Sequence, residues 1–426
     1  MSKEKKLGGR LEAFVEKIAA PLVKLASYPV MRAIQGGLVQ TMPIIVVGSI
    51  FLVLSVLGSS NVGNGTTLLP FLSPIASKLS VMNSYTIGFL GLYSSAAIAM
   101  NYGEILGVDV KTSGILGLTS FIIINLAKEI NTTAFSAQGL IVAIITSVVS
   151  IRIYKFFKDR NIVIKMPDAV PPNISNAFTS LIPFLAVYTI CWFIRVAMDF
   201  DLSNWIMGLL TPLFSAAENI FVFTFKQTIQ NLLWSVGLHG DNMVDSIFIP
   251  LRQIWTAENA AAAAAGVEGT ALPHVWTSNG IERLVTWPAA IWPLLLYMIT
   301  SKVKYLRTLG WACLPSAIFT IVEPVIYGLP LALNPYLMLP FLVITIITSF
   351  VSYGIFELGL VGRFFASMPW ATPPFLLGPL GTGDWKSVLV MLLVFVIGLV
   401  IYYPFFKNFE KSLLAKEAEN EAAVED

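Results

Sequence analysis

Apolar windows separated by short polar segments run along almost the whole chain. A transmembrane helix needs about 20 apolar residues, and several windows reach that length only with their semi-polar flanks. The pattern therefore predicts an all-α polytopic membrane protein. The windows cover residues 37–57, 85–100, 113–126, 139–153, 178–198, 287–300, 336–358 and 385–403.

Composition supports this assignment, because 56% of the 426 residues are hydrophobic and 12% are charged, whereas about a quarter of residues are charged in soluble domains. The sequence has no phosphate-binding P-loop and no dinucleotide fingerprint, so direct ATP-driven pumping by this chain is not expected. The two cysteines, Cys191 and Cys313, lie far apart in apolar surroundings and form no disulfide, metal or redox motif. We expect no cofactor, no metal site and no nucleic-acid partner.

Basic residues mark the cytoplasmic side of a membrane protein. The segment between the first two windows carries only Lys78, and Arg195 is followed by Asp199 and Asp201, which suits the opposite side. The first ten residues, MSKEKKLGGR, do not resemble a removable signal peptide. We therefore expect cytoplasmic N- and C-termini. The basic clusters lie within residues 3–32, 152–165, 302–307 and 407–411.

The stretch TIVEPVIYGLPLALNP, residues 320–335, places the carboxylate Glu323 among helix breakers. Two flanking basic clusters are both expected on the cytoplasmic side, yet three apolar stretches lie between them, so one stretch must enter and leave on the same side. Pro315, Pro324, Gly328 and Pro330 would break a helix here. Non-helical backbone at membrane depth survives only inside protein or beside water. The stretch is predicted to be a re-entrant hairpin tip or a broken helix.

Three further segments have distinctive sequence patterns. Residues 11–28 form an amphipathic pattern typical of an interfacial helix, or equally of a cytoplasmic helix packed on the protein. Residues 202–217 form a second amphipathic stretch that would connect two halves, and the alanine-rich run 259–269 indicates a spacer helix or loop. Two domains are predicted: a scaffold at residues 1–200 and a working part at 201–426.

Ionisable groups in the broken apolar segments are candidates for chemistry. His239, flanked by Gly237 and Gly240, favours a pathway or ligand site over a structural role. A carboxylate such as Glu323 at membrane depth costs on the order of 3 kcal/mol, so it needs a task or a partner. His274 follows a proline in a polar loop and is interpreted as a loop residue. The cations that could pair with Glu323 are Arg252, Arg283 and Arg363.

Tryptophans lie in the same broken segments. Trp234 and Trp370 are placed where an indole ring could stack on the C–H face of a sugar while carboxylate and imidazole groups bind its hydroxyls. The alternative for each is a position in the interfacial aromatic belt. The sequence leaves both readings open.

Four motifs in the same order carry a family resemblance: MPDAVPPNISNAF at 166–178, VGLHG at 236–240, SKVKYLRTLG with VEPVIYGLPLALNP at 301–335, and PWATPP with GDW at 369–385. With them the chain resembles the membrane-embedded IIC component, or permease, of the bacterial phosphoenolpyruvate-dependent sugar phosphotransferase system, in its lactose/cellobiose/chitobiose family. The resemblance runs through most of the chain.

The resemblance implies about ten transmembrane helices, two re-entrant hairpins and interfacial amphipathic helices in a homodimer of the bacterial inner membrane. It assigns His239 and Glu323 as catalytic residues that contact the sugar near the hydroxyl to be phosphorylated. Phosphoryl groups come from a cysteine on a separate cytoplasmic IIB protein, which is fed by IIA. The implied substrate-binding residues are Trp234, His239, Gly240, Glu323, Asn334 and Trp370.

The chain departs from its relatives at two places. Val322 stands where they carry Asn, which removes a donor and an acceptor before the Glu-Pro pair. Residues 276–287 replace a Gly-Gly-Ser-Gly run and introduce Glu282 and Arg283. Sugar identity is therefore not copied from the commonest members.

The functional hypothesis is inward movement of a β-linked disaccharide, of cellobiose or chitobiose type, coupled to phosphorylation by phospho-IIB. Glu323 would accept the proton of the attacking hydroxyl, and His239 would orient that hydroxyl or stabilise charge. Two alternatives are a proton-coupled sugar porter and a sugar sensor that does not transport.

Overall fold

The computed structural model describes residues 24, 27–58, 69–126, 132–167, 170–235, 237–329, 331 and 334–425. Within these ranges the chain is helical and has no β-strand, which confirms the all-α class. The α-helices of six or more residues are numbered in chain order. They are α1 (Pro29–Gln40), α2 (Met42–Gly58), α3 (Ala76–Thr86), α4 (Leu90–Leu106), α5 (Val110–Ile124), α6 (Leu140–Asp159), α7 (Pro172–Trp192), α8 (Leu202–Ala217), α9 (Ile220–Trp234), α10 (Gly240–Ala264), α11 (Ile281–Ala290), α12 (Trp292–Ile299), α13 (Lys304–Ile318), α14 (Glu323–Gly328), α15 (Pro335–Glu357), α16 (Pro374–Thr382) and α17 (Lys386–Glu425).

Small residues let the N-terminal helices pack closely, with α4 in contact with α1, α5 and α6. A Cβ atom added at Gly37 on α1 would lie 2.6 Å from the backbone of Ile98 on α4. One added at Gly117 on α5 would lie 2.3 Å from the Cβ of Ala99. Lipid gives membrane helices no hydrophobic drive to associate, so close backbone approach at such residues stabilises the group.

A second group consists of α9, α11, α15 and α17 around a buried aromatic and aliphatic core. Helix α15 packs against the other three, and α11 also packs against α17. Trp287 of α11, Phe341 of α15 and Val394 of α17 are almost completely buried. Asn231 on α9 donates its Nδ2 to Thr345 Oγ1 on α15 at 2.7 Å. Polar groups that are removed from water are thus satisfied across the interface.

The two groups of helices are in contact. Helix α10 packs against α1 and α2, and the backbone N–H of Ser367 donates to Ser49 Oγ at 3.0 Å. The main hydrophobic core therefore runs from α1 and α2 to α17, while a smaller core lies within the N-terminal helices. The division into domains 1–200 and 201–426 stays a prediction, because the main core takes residues from both ranges.

Five helices of the described ranges are long and apolar enough to cross a membrane. The expected total of about ten spans stays a prediction. Window 287–300 is not one helix: α11 contains Pro288 and ends at Ala290, and α12 begins with Trp292 and Pro293. Proline removes a backbone donor and clashes with the preceding turn, which explains the break. The five helices span Pro29–Gly58, Leu140–Asp159, Ala177–Ala197, Tyr336–Glu357 and Lys386–Ala415.

The stretch around Glu323 is a broken helix, as predicted. Helix α13 ends at Ile318, a turn follows in which Thr320 has φ +60°, and α14 then runs for six residues. Helix α14 packs against α13, so the two form a helical hairpin. Pro330 lies outside the described residues. Re-entry of this hairpin into a membrane stays a prediction.

The remaining segment predictions have different outcomes. Residues 11–28 lie almost entirely outside the described ranges, whereas 202–217 form the expected helix, α8. Run 259–269 starts as a continuation of α10, but it is more than a spacer, because Asn259 is fully buried. Asn259 Nδ2 donates to the carbonyls of His274 and Phe364 at 2.7 Å each. The run therefore fastens two loops to α10.

Candidate functional site

His239 and Glu323 come together, although they are far apart in sequence. His239 immediately precedes α10 and Glu323 begins α14, and His239 Nε2 lies 3.5 Å from Glu323 Oε1. Both side chains are partly exposed, at 38% and 39%. An imidazole and a carboxylate that lie side by side and are open to solvent can bind a hydroxyl together and transfer its proton. This pair is the centre of the candidate site.

Trp234 lies directly beneath this pair. Its ring centroid is 4.3 Å from that of His239, 6.1 Å from Tyr327 and 6.2 Å from Trp287, and the indole is 1% exposed. The structure thus brings Trp234 to the site but buries it there. The side chains of this site that solvent can reach are those of His239, Glu323 and Tyr327.

Glycine is required in the turn that delivers His239. Gly237 has φ +83°, which disfavours a side chain. At Gly240 an added Cβ would lie 2.0 Å from the Gln230 carbonyl oxygen and 2.9 Å from Trp234 Cδ1. Gly240 therefore lets the start of α10 lie directly against the end of α9, and this contact places His239 over Trp234.

Trp370 and Asn334, two predicted substrate-binding residues, have their own local roles. Trp370 is 43% exposed in a non-helical segment, and its carbonyl accepts a hydrogen bond from Thr320 Oγ1 at 3.0 Å. Asn334 caps α15 by accepting from the Tyr336 N–H at 3.1 Å. Trp370 is thus fastened to the turn that carries Glu323. The side-chain oxygen of Asn334 is used to cap the N-terminus of α15.

Tyr327 is a further candidate site residue that was not expected from the sequence. It lies four residues after Glu323 on α14, so both project from one face of that helix, and its side chain is 53% exposed. The i,i+4 spacing was the available signal. Val322, by contrast, is 2% exposed at the N-cap of α14 and provides no side-chain cap.

A buried ionic cluster lies between α9, α10 and α11. Lys226 Nζ is 2.8 Å from Asp245 Oδ1 and 2.9 Å from Glu282 Oε2. Arg252 contacts the same two carboxylates, with Asp245 Oδ1 at 3.0 Å from Nη2. Gln230 Oε1 accepts from Lys226 at 2.6 Å. Buried charges require such partners. No motif in the sequence predicted this cluster.

None of the three arginines proposed as partners of Glu323 pairs with it in the described structure. Arg252 belongs to the ionic cluster, and Arg283 Nη2 lies 3.2 Å from Asp241 Oδ1. Arg363 donates to the backbone carbonyl of Leu272 at 2.5 Å. The sequence named these cations only as possible partners, because only the fold decides which one each carboxylate meets.

His274 is a loop residue, as predicted, but both of its ring nitrogens bind carboxylates. Nδ1 lies 2.6 Å from Glu218 Oε2 and Nε2 lies 2.5 Å from Glu258 Oε2. Burial alone would lower the pKa of His274, but the hydrogen bonds and negative charges of the two glutamates raise that pKa to about 9. The imidazolium therefore fastens the loop to α10 and to the segment after α8.

Comparison with known proteins assigns this architecture. The family model described as "Phosphotransferase system, EIIC" matches residues 35–345. The chain belongs to this family. It is 31% identical to the lichenan permease IIC component of Bacillus subtilis, over 94% of each chain. It is 29% identical to the cellobiose-specific EIIC component of Geobacillus stearothermophilus, over 92% of this chain and 93% of that one.

A solved structure has the same fold. It is ChbC, the IIC component from the N,N'-diacetylchitobiose-specific phosphotransferase system, with a TM-score of 0.87 and 30% identity over 95% of this chain and 99% of that chain. These findings confirm the resemblance that the sequence motifs indicated. The protein is a membrane-embedded EIIC sugar permease of the cellobiose, lichenan, lactose and chitobiose type.

The ionic cluster of this EIIC permease yields a stability prediction. Lys226→Met would leave the buried carboxylates of Asp245 and Glu282 with one cation between them. We expect the free energy of unfolding to fall by about 3 kcal/mol, measured by denaturant unfolding in detergent micelles. The control is Lys155→Met, which breaks the exposed pair with Asp159 and should cost less than about 1 kcal/mol. Equal effects of the two variants would contradict a stabilising role for the buried cluster.

His274 yields a prediction of pH dependence. Because its pKa is raised above the value of about 6.5 for an unfolded histidine, its stabilising contribution is fully present below that pH and is lost as pH rises through about 9. We expect the melting temperature of the wild type to exceed that of His274→Gln most at pH 6. The difference should shrink by pH 9.5. A difference that stays constant over this range would show that the charge of His274 does not contribute.

Proposed function

We propose that this permease carries a β-linked disaccharide inward and presents it for phosphorylation by phospho-IIB. The observation that carries the proposal is the His239–Glu323 pair, which has two partly exposed polar groups 3.5 Å apart. A sugar hydroxyl can donate to the carboxylate and meet the imidazole at the same time. A disaccharide is proposed because relatives are named for cellobiose, lactose and N,N'-diacetylchitobiose.

Phosphoryl transfer needs a base and stabilisation of charge. The hydroxyl oxygen of the sugar attacks phosphorus, the bond from phosphorus to the IIB cysteine sulfur breaks, and Glu323 accepts the hydroxyl proton. His239 orients the hydroxyl and, when protonated, offsets developing negative charge. Trp234 supports the His239 ring from below, while Tyr327 and Trp370 supply exposed aromatic faces for the sugar.

Partner proteins supply the phosphoryl group. In this proposal it arrives on a cysteine of a cytoplasmic IIB protein that is itself phosphorylated by IIA. Support comes from Cys191 and Cys313 of this chain, which are both buried and therefore unsuited to receive a phosphoryl group. The same proposal places the termini in the cytoplasm of a bacterial cell and the helices in its inner membrane.

Two parts of the chain divide the work in this proposal. Residues 1–200 form the scaffold through which two copies dimerise, and residues 201–426 bind the sugar and move it. The distribution of site groups supports the division, because His239, Glu323, Tyr327 and Trp370 all belong to the second range.

The electrostatics of the site favour an uncharged sugar. Two cations on the helices that surround the site are already paired with carboxylates: Arg283 with Asp241, and Lys226 with Glu282. An anionic substrate would have to break one of these pairs at a cost of several kcal/mol. Val322 offers no amide to the substrate, so hydroxyl recognition depends on the neighbouring groups instead.

The test is sugar phosphorylation in sealed vesicles that contain the full chain, with phospho-IIB inside and labelled cellobiose, N,N'-diacetylchitobiose or lactose outside. We expect sugar phosphate to appear inside only when phospho-IIB is present. Glu323→Gln should bind the accepted sugar within about tenfold of the wild type, because an amide still hydrogen-bonds a hydroxyl. Its phosphorylation rate should fall by about 100-fold or more, because the base is lost.

Glu104→Gln is the matched control, since Glu104 is exposed at the end of α4, and it should behave as the wild type. Phosphorylation at the wild-type rate by Glu323→Gln would overturn the base role. Uptake of unmodified sugar that is driven by a pH gradient without phospho-IIB would identify a proton-coupled porter. Sugar binding without uptake under either condition would identify a sensor.

A further inference from the structure

An ion pair and a hydrogen bond form a relay that joins Arg283, through Asp241, to Trp234 at the floor of the site. The Trp234 indole Nε1–H donates to Asp241 Oδ2 at 2.7 Å, and the other carboxylate oxygen of Asp241 lies 3.2 Å from Arg283 Nη2. The three groups are largely buried: Trp234 is 1% exposed, and the Asp241 and Arg283 side chains are 11% and 15% exposed. Each of the two carboxylate oxygens thus has one partner, and the partners lie on different helices.

Each residue of the relay depends on the next one for a hydrogen-bond or charge partner. Indole has one hydrogen-bond donor, and in Trp234 that donor is used by Asp241, so the indole can meet ligands only through its ring. Asp241, in turn, is a carboxylate largely removed from water, which requires a cation. Arg283 supplies that cation. Without it, Asp241 would turn toward water, and its hydrogen bond to the indole would weaken.

Arg283 is itself held in place by its neighbour in sequence. Glu282 is clamped by Lys226 from α9 and by Arg252 from α10, and Gln227 Nε2 donates to Thr286 Oγ1 one turn later at 2.7 Å. The first turn of α11 is therefore fixed against both α9 and α10. Adjacent residues of that turn make different contacts: Glu282 belongs to the ionic cluster, and Arg283 pairs with Asp241.

We propose that Arg283 is a positioning residue for sugar binding: through Asp241 it orients the Trp234 indole, and the indole holds the His239 ring against Glu323. The contact of 4.3 Å between the Trp234 and His239 ring centroids is the step that transmits the orientation. Arg283 belongs to the stretch in which this chain departs from its relatives, so the relay adjusts the shared His–Glu pair in this protein. The inference rests on the proposed function for its sugar readout.

A double-mutant cycle tests whether Arg283 acts through Trp234. Arg283→Gln removes the cation, and Trp234→Phe removes the indole N–H while keeping an aromatic ring. Affinity for the sugar accepted by the wild type is measured by equilibrium binding to the full chain in detergent. Arg283→Gln and Trp234→Phe should each bind about tenfold more weakly, which corresponds to about 1.4 kcal/mol. The double variant should be no weaker than Trp234→Phe alone, because coupled residues are not additive.

Two further variants calibrate the cycle. Arg283→Lys retains a cation for Asp241 and should bind sugar within about threefold of the wild type, since the pair in question is a one-point contact and not a bidentate one. Arg195→Gln is the matched control for the substitution, because Arg195 pairs with Asp199 and Asp201 away from the site. It should bind sugar as the wild type does.

A second measurement requires no sugar. In the chain labelled with nitrogen-15 at tryptophan, the Trp234 indole N–H signal is assigned by its absence in Trp234→Phe. Its hydrogen exchange should be at least about tenfold faster in Arg283→Gln than in the wild type, because the hydrogen bond to Asp241 weakens. Arg195→Gln should leave the exchange rate unchanged.

The outcomes separate this inference from the proposed function. The relay would be overturned if the double variant lost sugar affinity by the product of the two single losses. It would also be overturned if hydrogen exchange of the Trp234 indole N–H were unchanged in Arg283→Gln. Either result would count even if the wild type binds and phosphorylates sugar. A wild type that binds none of the disaccharides would overturn the proposed function and the sugar-binding part of this inference. Accelerated exchange in Arg283→Gln would still support the positioning of the indole itself.

Discussion

Burial of opposite charges between α9, α10 and α11 is the constraint on which the site depends. Lys226 and Arg252 meet Asp245 and Glu282 there with almost no access to water. A buried charge that loses its partner costs several kcal/mol, so these helices cannot slide relative to one another without breaking a pair. This rigidity fixes Trp234, at the end of α9, relative to Gly240, at the start of α10, and so determines where His239 emerges.

The position of Glu323, the other residue of the pair, depends on an interruption of the helix. Proline and glycine divide the apolar stretch after α13 into a short helix and irregular segments, and Glu323 lies at the first position of that short helix. The break presents this carboxylate, partly exposed, to the His239 nitrogen. Thr320, in a left-handed conformation, hydrogen-bonds the carbonyl of Trp370 and fastens a third segment to the same turn.

The sequence allowed Glu323 and His239 to be predicted as candidate site residues, but not the residues that hold them in place. Glu323 and His239 stand out locally because a charge beside helix breakers in an apolar stretch is costly, and that cost is visible without a fold. The partner of Glu323 was not predictable, because three arginines were equally available and the choice depends on which helices meet. Lys226 was overlooked for the same reason: its partner Glu282 lies 56 residues away. Tyr327 could have been found from its spacing to Glu323, whereas the burial of Trp234 required the packing of three helices.

Specificity and mechanism are separable in this arrangement. The fold is shared with the EIIC transporter ChbC, and in the proposed function the His239–Glu323 pair provides the chemistry of a hydroxyl and its proton. Val322 and Arg283 belong to the two departures that the family resemblance implies, and both lie near the pair. Val322 offers no side-chain amide at the start of α14, and Arg283 pairs with the carboxylate that binds the Trp234 indole. In the proposed function, changes of this kind would alter which sugar fits while the base and the imidazole remain. The same fold can therefore keep one reaction and change its substrate.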